Sequence, residues 1–245
     1  MFKLTEQMKE SQEIREVGRL CYERGYICGT EGNFSIRLDE NRILTTATGT
    51  CKGRLSMEDL VVTDMEGNPL PKSKGGNPQE AGPEARPSTE LKMHLVVYNK
   101  RPDARAVVHA HPTTAVAFTV AGLSLDQCVL PEVVCTLGSI PTAPYATPST
   151  DEIPDSIADI VEDHDALVLD HHGALTIGKD IWDAYYKLET VEHYAQTLMA
   201  AEILGGARRL KSSQVEKLLA ICSVYGLKKP ANEKKLLSSR CSDPD

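Results

Sequence analysis

The sequence predicts an α/β fold, a single-domain three-layer α/β/α sandwich with a mainly antiparallel central sheet. Short apolar runs closed by turn residues come in adjacent pairs, 34–38 with 43–47 and 165–170 with 174–177, so consecutive strands fold back on each other. Segments of helical period precede, separate and follow these pairs, which supplies layers for both sheet faces. No repeat or shift in composition marks a boundary within the 245 residues, so one domain is expected over 1–245, with a polar tail at about 227–245.

In chain order, Leu4, Met8, Ile14, Val17, Leu20 and Cys21 recur at helical spacing, and Gly25 stands where a helix would end. Two glycines and small polar residues at 29–35 lead into an alternating strand, and 39–42 turns it into a second. Ser56 to Asp59 resembles a capping box for a short helical turn before a strand at 60–64, and 71–86, rich in Pro and Gly, reads as an exposed loop. Ser88 or Thr89 caps a helix running through Leu91, Met93, His94, Val97 and Tyr98, with Glu90 in its first turn. Beyond the strand ending at 106–111, a helix and loop fill 113–130, residues 132–135 read as a short strand, and 141–145 as an edge segment. A helix from about 150 to 164, the strand pair around His171-His172-Gly173, an amphipathic helix at 179–204 and a last helix at 212–223 complete the chain.

Composition narrows the function. The formal charge of −8 disfavours nucleic acid or an anionic membrane as partner. No run approaches the roughly 18 to 20 apolar residues of a membrane helix, and the charged start has no signal-peptide core, so a cytoplasmic protein is expected. Seven scattered cysteines without a C-x-x-C pair argue against a zinc ribbon.

The chemistry concentrates at Val107-Val108-His109-Ala110-His111-Pro112. Alternate residues of a strand share a face, so both imidazoles point the same way at the strand end, near enough to share one cation. Glu90 opens the helix just before this strand, and His171 and His172 end another apolar strand. Glu90, His109, His111 and one of His171 or His172 thus make a set of three imidazoles and one carboxylate. Such N and O donors suit Zn2+, with Mn2+, Fe2+ or Co2+ chemically admissible. The Gly/Ser/Thr loops at 29–33 and 48–50 offer backbone N–H groups to an anion, although such loops are more often plain turns.

Gly29-Thr30-x-Gly32-Asn33-x-Ser35, Thr48-Gly49, Pro87-Ser88-Thr89-Glu90, His109-Ala110-His111-Pro112, Ala143-Pro144-Tyr145 and His172-Gly173, in this order, resemble the class II aldolase/adducin family over about residues 5–205. The resemblance implies metal ligands at Glu90, His109, His111 and His172, the last because the family's ligand directly precedes the glycine. It implies a substrate-phosphate site at Gly32, Asn33, Thr48, Gly49, Ser88 and Thr89, and a cytoplasmic homotetramer acting on a small-molecule sugar phosphate. The implied activity is zinc-dependent cleavage of a ketose 1-phosphate, resembling L-fuculose 1-phosphate, to dihydroxyacetone phosphate and an aldehyde. Glu90 would then act as general acid/base.

One departure stands out. The family's aldolases use a tyrosine to protonate the leaving oxygen, but 124–134 holds only Asp126 and Glu132 as acids. Glu132 is the candidate there, and Tyr225 the candidate for a second family tyrosine near the carboxyl terminus. Pentulose-phosphate 4-epimerases, dehydratases and decarboxylases share the scaffold. The epimerases usually carry aspartate where Glu90 stands, and adducin-like interaction modules lack the ligand set.

Overall fold

Turn chemistry builds the first half of the sheet. The computed structural model describes residues 2–71 and 85–222, with side chains from residue 7 onward. Strand β1 (Asn33–Arg37) returns as β2 (Ile43–Thr46) through a turn in which the Asp39 carboxylate accepts from the Asn41 N–H at 3.0 Å. A single 3-10 turn, Lys52–Arg54, precedes β3 (Leu60–Thr63), while β4 (Ala106–Ala110) pairs with the other edge of β1. β5 (Thr142–Ala143), β6 (Ala166–Leu169) and β7 (Gly173–Gly178) complete one seven-stranded sheet in the order β3-β2-β1-β4-β7-β6-β5. Every neighbouring pair is antiparallel except β5 with β6, so the sheet is mixed, and the extended 141–145 segment supplies its parallel edge.

Period-two alternation divides the strands between two cores. Phe34, Ile36, Val108 and Val168 face α1 (Phe2–Glu23), α3 (Thr113–Val120) and α6 (Ile181–Ile203). Ile43, Val107, Leu167, Leu175 and Ile177 face α2 (Leu91–Lys100) and α5 (Glu152–Ile157) on the opposite side. β4 lies at the centre and is buried from end to end, which is why its sequence is apolar on both faces. Each fully buried valine there contributes about 1.5–3 kcal/mol relative to exposure.

Several expectations shift. Residues Pro131–Thr136 form helix α4, not a strand: Pro131 occupies the first turn, where its missing N–H is no loss, and so short a run shows no diagnostic period. α4 packs on α7 (Ser212–Cys222) through Val134, Val215 and Leu219, with Cys128 from the preceding loop in the same cluster. The helical turn expected at 56–59 lies earlier, at Lys52–Arg54, whereas the Ser56 N–H and hydroxyl both donate to the Asp59 carboxylate at 2.8 Å to shape the entry into β3. The helix expected over 150–164 is regular only as α5. Glu90 precedes α2 as its cap residue and is not within its first turn. Most of the 71–86 loop, and the tail at about 227–245, lie outside the described residues. Among those described, no helix is long and apolar enough to cross a membrane.

Candidate metal centre

Two chain reversals bring the histidines together at one end of the sheet. β4 stops at Ala110, the His111 N–H donates to the Tyr26 carbonyl at 2.8 Å, and Pro112 turns the chain into α3. In the turn between β6 and β7, His171 takes a left-handed conformation (φ 55°) that turns its own ring outward and His172 inward. Gly173 then passes against the centre so closely that an added Cβ would lie 2.6 Å from the Ala110 carbonyl oxygen and 2.7 Å from the His111 ring. The choice between His171 and His172 is thus made by backbone geometry: His171 pairs with Asp170 at the surface, 2.9 Å away.

The rings of His109, His111 and His172 sit with centroids 4.9 Å apart in every pair and planes inclined by 62–67°. The Nε2 atoms of His109 and His111 are 3.1 Å apart. Glu90 lies 3.1 Å from His172 Nε2 through one oxygen and 3.6 Å from His109 Nε2 through the other. A tetrahedral cation with bonds of about 2.0–2.1 Å spaces its donors by about 3.3–3.4 Å, so these separations fit a small divalent ion. Tautomers agree as well. His109 Nδ1 lies 3.0 Å from the Ala174 carbonyl, which only accepts, so the ring proton sits on Nδ1 and the Nε2 lone pair faces the centre. Burial holds the His109 imidazole well below its ordinary pKa, and burial with His172 nearby lowers that of His111, which favours both as neutral donors.

Glu90 makes no capping hydrogen bond and turns its side chain to the centre. Burial alone would raise its carboxyl pKa. The hydrogen bond from His172, the nearby His109 and the Asn33 amide outweigh burial and leave it well below the usual carboxylate range. Asn33 Nδ2 donates to Glu90 at 2.8 Å. Of the expected phosphate residues, Asn33 therefore bonds the carboxylate at the centre.

Backbone contacts tie several of the remaining loop residues to one another. Gly32 adopts φ 69° and runs so close to β4 that a Cβ would meet the His109 carbonyl at 2.8 Å, whereas Gly49 adopts φ 71° beside open space. Ala47 bridges to Pro87, the Thr48 N–H donates to the Arg86 carbonyl at 2.9 Å, and the Ser88 N–H to the Thr46 carbonyl at 3.2 Å, which sets 46–48 and 86–88 side by side. The Ser88 hydroxyl accepts from the Glu90 N–H at 3.3 Å, and Thr89 Oγ1 lies 2.8 Å from the Ser149 hydroxyl. Two residues escaped the sequence reading. Glu31 lies 3.4 Å from His111 Nδ1, and Lys52 ties the Thr30 and Thr50 loops together through hydrogen bonds of 2.7 and 2.9 Å to their carbonyls. Glu31 was open to detection as an acid inside a glycine loop at the metal end; Lys52 carries no local signal. Glu132 is exposed on α4, without a hydrogen bond or ion pair to the four central groups, and Tyr225 lies outside the described residues.

A mixed α/β sheet ending in three convergent imidazoles and a carboxylate presents, among the described residues, an N/O-donor site able to hold a divalent cation. The chain belongs to the class II aldolase and adducin family: the family model for the Class II Aldolase and Adducin N-terminal domain matches residues 12–199. It is 36% identical over 193 residues to a 3-oxo-tetronate 4-phosphate decarboxylase of Haemophilus influenzae, covering 77% of this chain and 86% of that one. It is 35% identical over 184 residues to an L-fuculose phosphate aldolase of Methanococcus maripaludis, covering 75% and 93%. A solved L-fuculose 1-phosphate aldolase superposes with a TM-score of 0.76 at 25% identity, covering 89% of this chain and 97% of that one.

Proposed function

We propose that this chain is a zinc-dependent lyase that cleaves a ketose 1-phosphate, resembling L-fuculose 1-phosphate, reversibly to dihydroxyacetone phosphate and an aldehyde. The observation that carries this reading is the setting of Glu90, a half-buried carboxylate held ionised by His172 and Asn33 within reach of His109. Bound by His109, His111, His172 and Glu90, a divalent cation would supply Lewis acidity at the substrate carbonyl. The loops at Gly32, Thr48, Gly49, Ser88 and Thr89 hold the phosphate, which sets the bond to be broken beside Glu90.

Glu90 then moves the proton at the three-carbon product. Its pKa is a balance of burial, which raises it, against the histidines, which lower it. When substrate displaces the carboxylate from the histidines, burial dominates, and the group becomes able to carry a proton and deliver it to carbon. Glu90→Gln is expected to fold normally and to lose about 10²–10⁴-fold in turnover. Full turnover in that variant would sink the proposal.

A second reading is favoured by one observation, the lack of a tyrosine where the family's aldolases carry their acid. Residues 124–134 hold no tyrosine, and Glu132 points outward on α4, so it can serve only the centre of a neighbouring copy, as the homotetramer expected from the resemblance would allow. Decarboxylation of a phosphorylated 3-oxo acid yields the same three-carbon enediolate, while carbon dioxide leaves without needing a proton. The H. influenzae relative bears that activity in its name. Metal-loaded protein assayed with ketose 1-phosphates and with 3-oxo-tetronate 4-phosphate separates the two by co-product, aldehyde or carbon dioxide. Dihydroxyacetone phosphate from neither substrate, or activity unaffected by chelation, rules out both. Loss of aldehyde formation in Glu132→Gln would assign the acid to Glu132.

A further inference from the structure

We infer that Lys52 is the cation of the substrate-phosphate site, a role that rests on the phosphorylated substrate proposed above. Its side chain is enclosed, with the residue only 2% exposed, yet among the described residues no carboxylate stands within ion-pair distance of Nζ. The ammonium donates instead to two backbone carbonyls, Thr30 at 2.7 Å and Thr50 at 2.9 Å. Those carbonyls belong to the two glycine loops that carry Gly32 and Gly49.

A neutral donor would link two carbonyls equally well without the desolvation that a buried charge suffers. Keeping an ammonium here makes physical sense if an anion completes the site. Burial lowers the Lys52 pKa against the opposing influence of Cys51, Glu90 and Asp59, and a phosphate dianion arriving between the loops would offset burial further. The two carbonyls fix the ammonium within the loop layer before substrate arrives. Gly29 and Gly49, each with positive φ and no atom within 4 Å of a would-be Cβ, leave the loops open to a ligand. Lysine suits this role as a compact point charge with three donors, two of them engaged.

The test compares binding of dihydroxyacetone phosphate with that of dihydroxyacetone to metal-loaded wild type, Lys52→Met and Lys52→Gln. Glutamine retains two N–H donors for the carbonyls but no charge. The preference for the phosphorylated compound is expected to fall about 10- to 100-fold in both variants, with dihydroxyacetone affinity unchanged. A preserved preference, or equal loss of both affinities, would show Lys52 to be a loop staple alone and overturn the inference. Wild type that binds the two compounds equally removes the phosphorylated-substrate reading itself, and Lys52's role with it. Should both neutral variants fail to fold, Lys52→Arg decides: it must keep the preference within a few-fold, and its collapse overturns the inference.

Discussion

Two carboxylates flank the histidine cluster, and they are held in opposite ways. The Glu90 side chain is 14% exposed and belongs to a set of polar contacts between β1 and α2, whereas the Glu31 side chain is 48% exposed on a loop, 3.4 Å from His111. On the Glu90 side, Asn33 bonds Glu90, Ser35 bonds both His94 at 2.6 Å and Tyr98 at 2.8 Å, and Arg37 lies over the Tyr98 ring, 4.9 Å from its centre. Alternate residues of the strand thus meet the cap residue of α2 and then every fourth residue beyond it, and the two repeats, about 6.6 and about 6 Å, stay in step over three rungs. That register fixes where Glu90 stands. Glu31 has no such support, so it adjusts the centre electrostatically without defining its geometry.

The largest effect is expected from breaking the backbone both sides share. Gly173→Ala drives a Cβ into the Ala110 carbonyl and the His109 and His111 rings, none of which can withdraw without moving β4. We expect loss of stoichiometric metal by elemental analysis, with about 1–3 kcal/mol of destabilisation in urea titration. A variant that binds metal normally would show the close approach to be unimportant.

Breaking the ladder alone comes next. Ser35→Ala strips the partner from His94 Nδ1 and from one hydrogen bond of Tyr98, costing about 1–3 kcal/mol for the buried polar groups left unsatisfied. Turnover is expected to fall more than metal affinity, because Glu90 loses its register while the three imidazoles keep theirs. The same core has a pH signature. Burial lowers the His94 pKa to about 3, so the folded state keeps this ring neutral where the unfolded chain binds a proton. Its contribution to stability is full above the unfolded value of about 6.5 and is lost as pH falls toward the folded one, with a slope of about 1.4 kcal/mol per pH unit. Metal-free His94→Gln should lose stability less steeply than wild type between about pH 6 and 4. Parallel curves would mean that His94 is not held neutral.

The sheet, its two helical layers and the histidine pair were legible because they rest on period and on turn residues. Val107 and Val108 before His109, and Gly173 after His172, are local patterns with local causes. Pro131–Thr136 misled because six residues are too few for a period to declare itself. The ladder was hidden for another reason: Ser35, His94 and Tyr98 look ordinary until strand and helix are set side by side, 59 and 63 residues apart in sequence. Lys52 escaped likewise, since its burial is produced by loops on either side and not by its neighbours.

The smallest effect belongs to Glu31. Its carboxylate accepts from the Cys28 N–H at 3.3 Å as well as facing His111, so Glu31→Gln keeps a hydrogen-bonding group in the loop while removing the charge behind the ring. A carboxylate behind a ligating imidazole raises the basicity of the other nitrogen, and its loss typically lowers metal affinity about 10- to 100-fold. Half exposure weakens that influence, so a loss near 10-fold in competition with a chelator is expected, with thermal stability of the metal-free protein unchanged. A loss as large as that in Glu90→Gln would erase the distinction between the two sides. Equal affinity to wild type would instead reduce Glu31 to a loop residue and leave Glu90 as the one carboxylate acting on the centre.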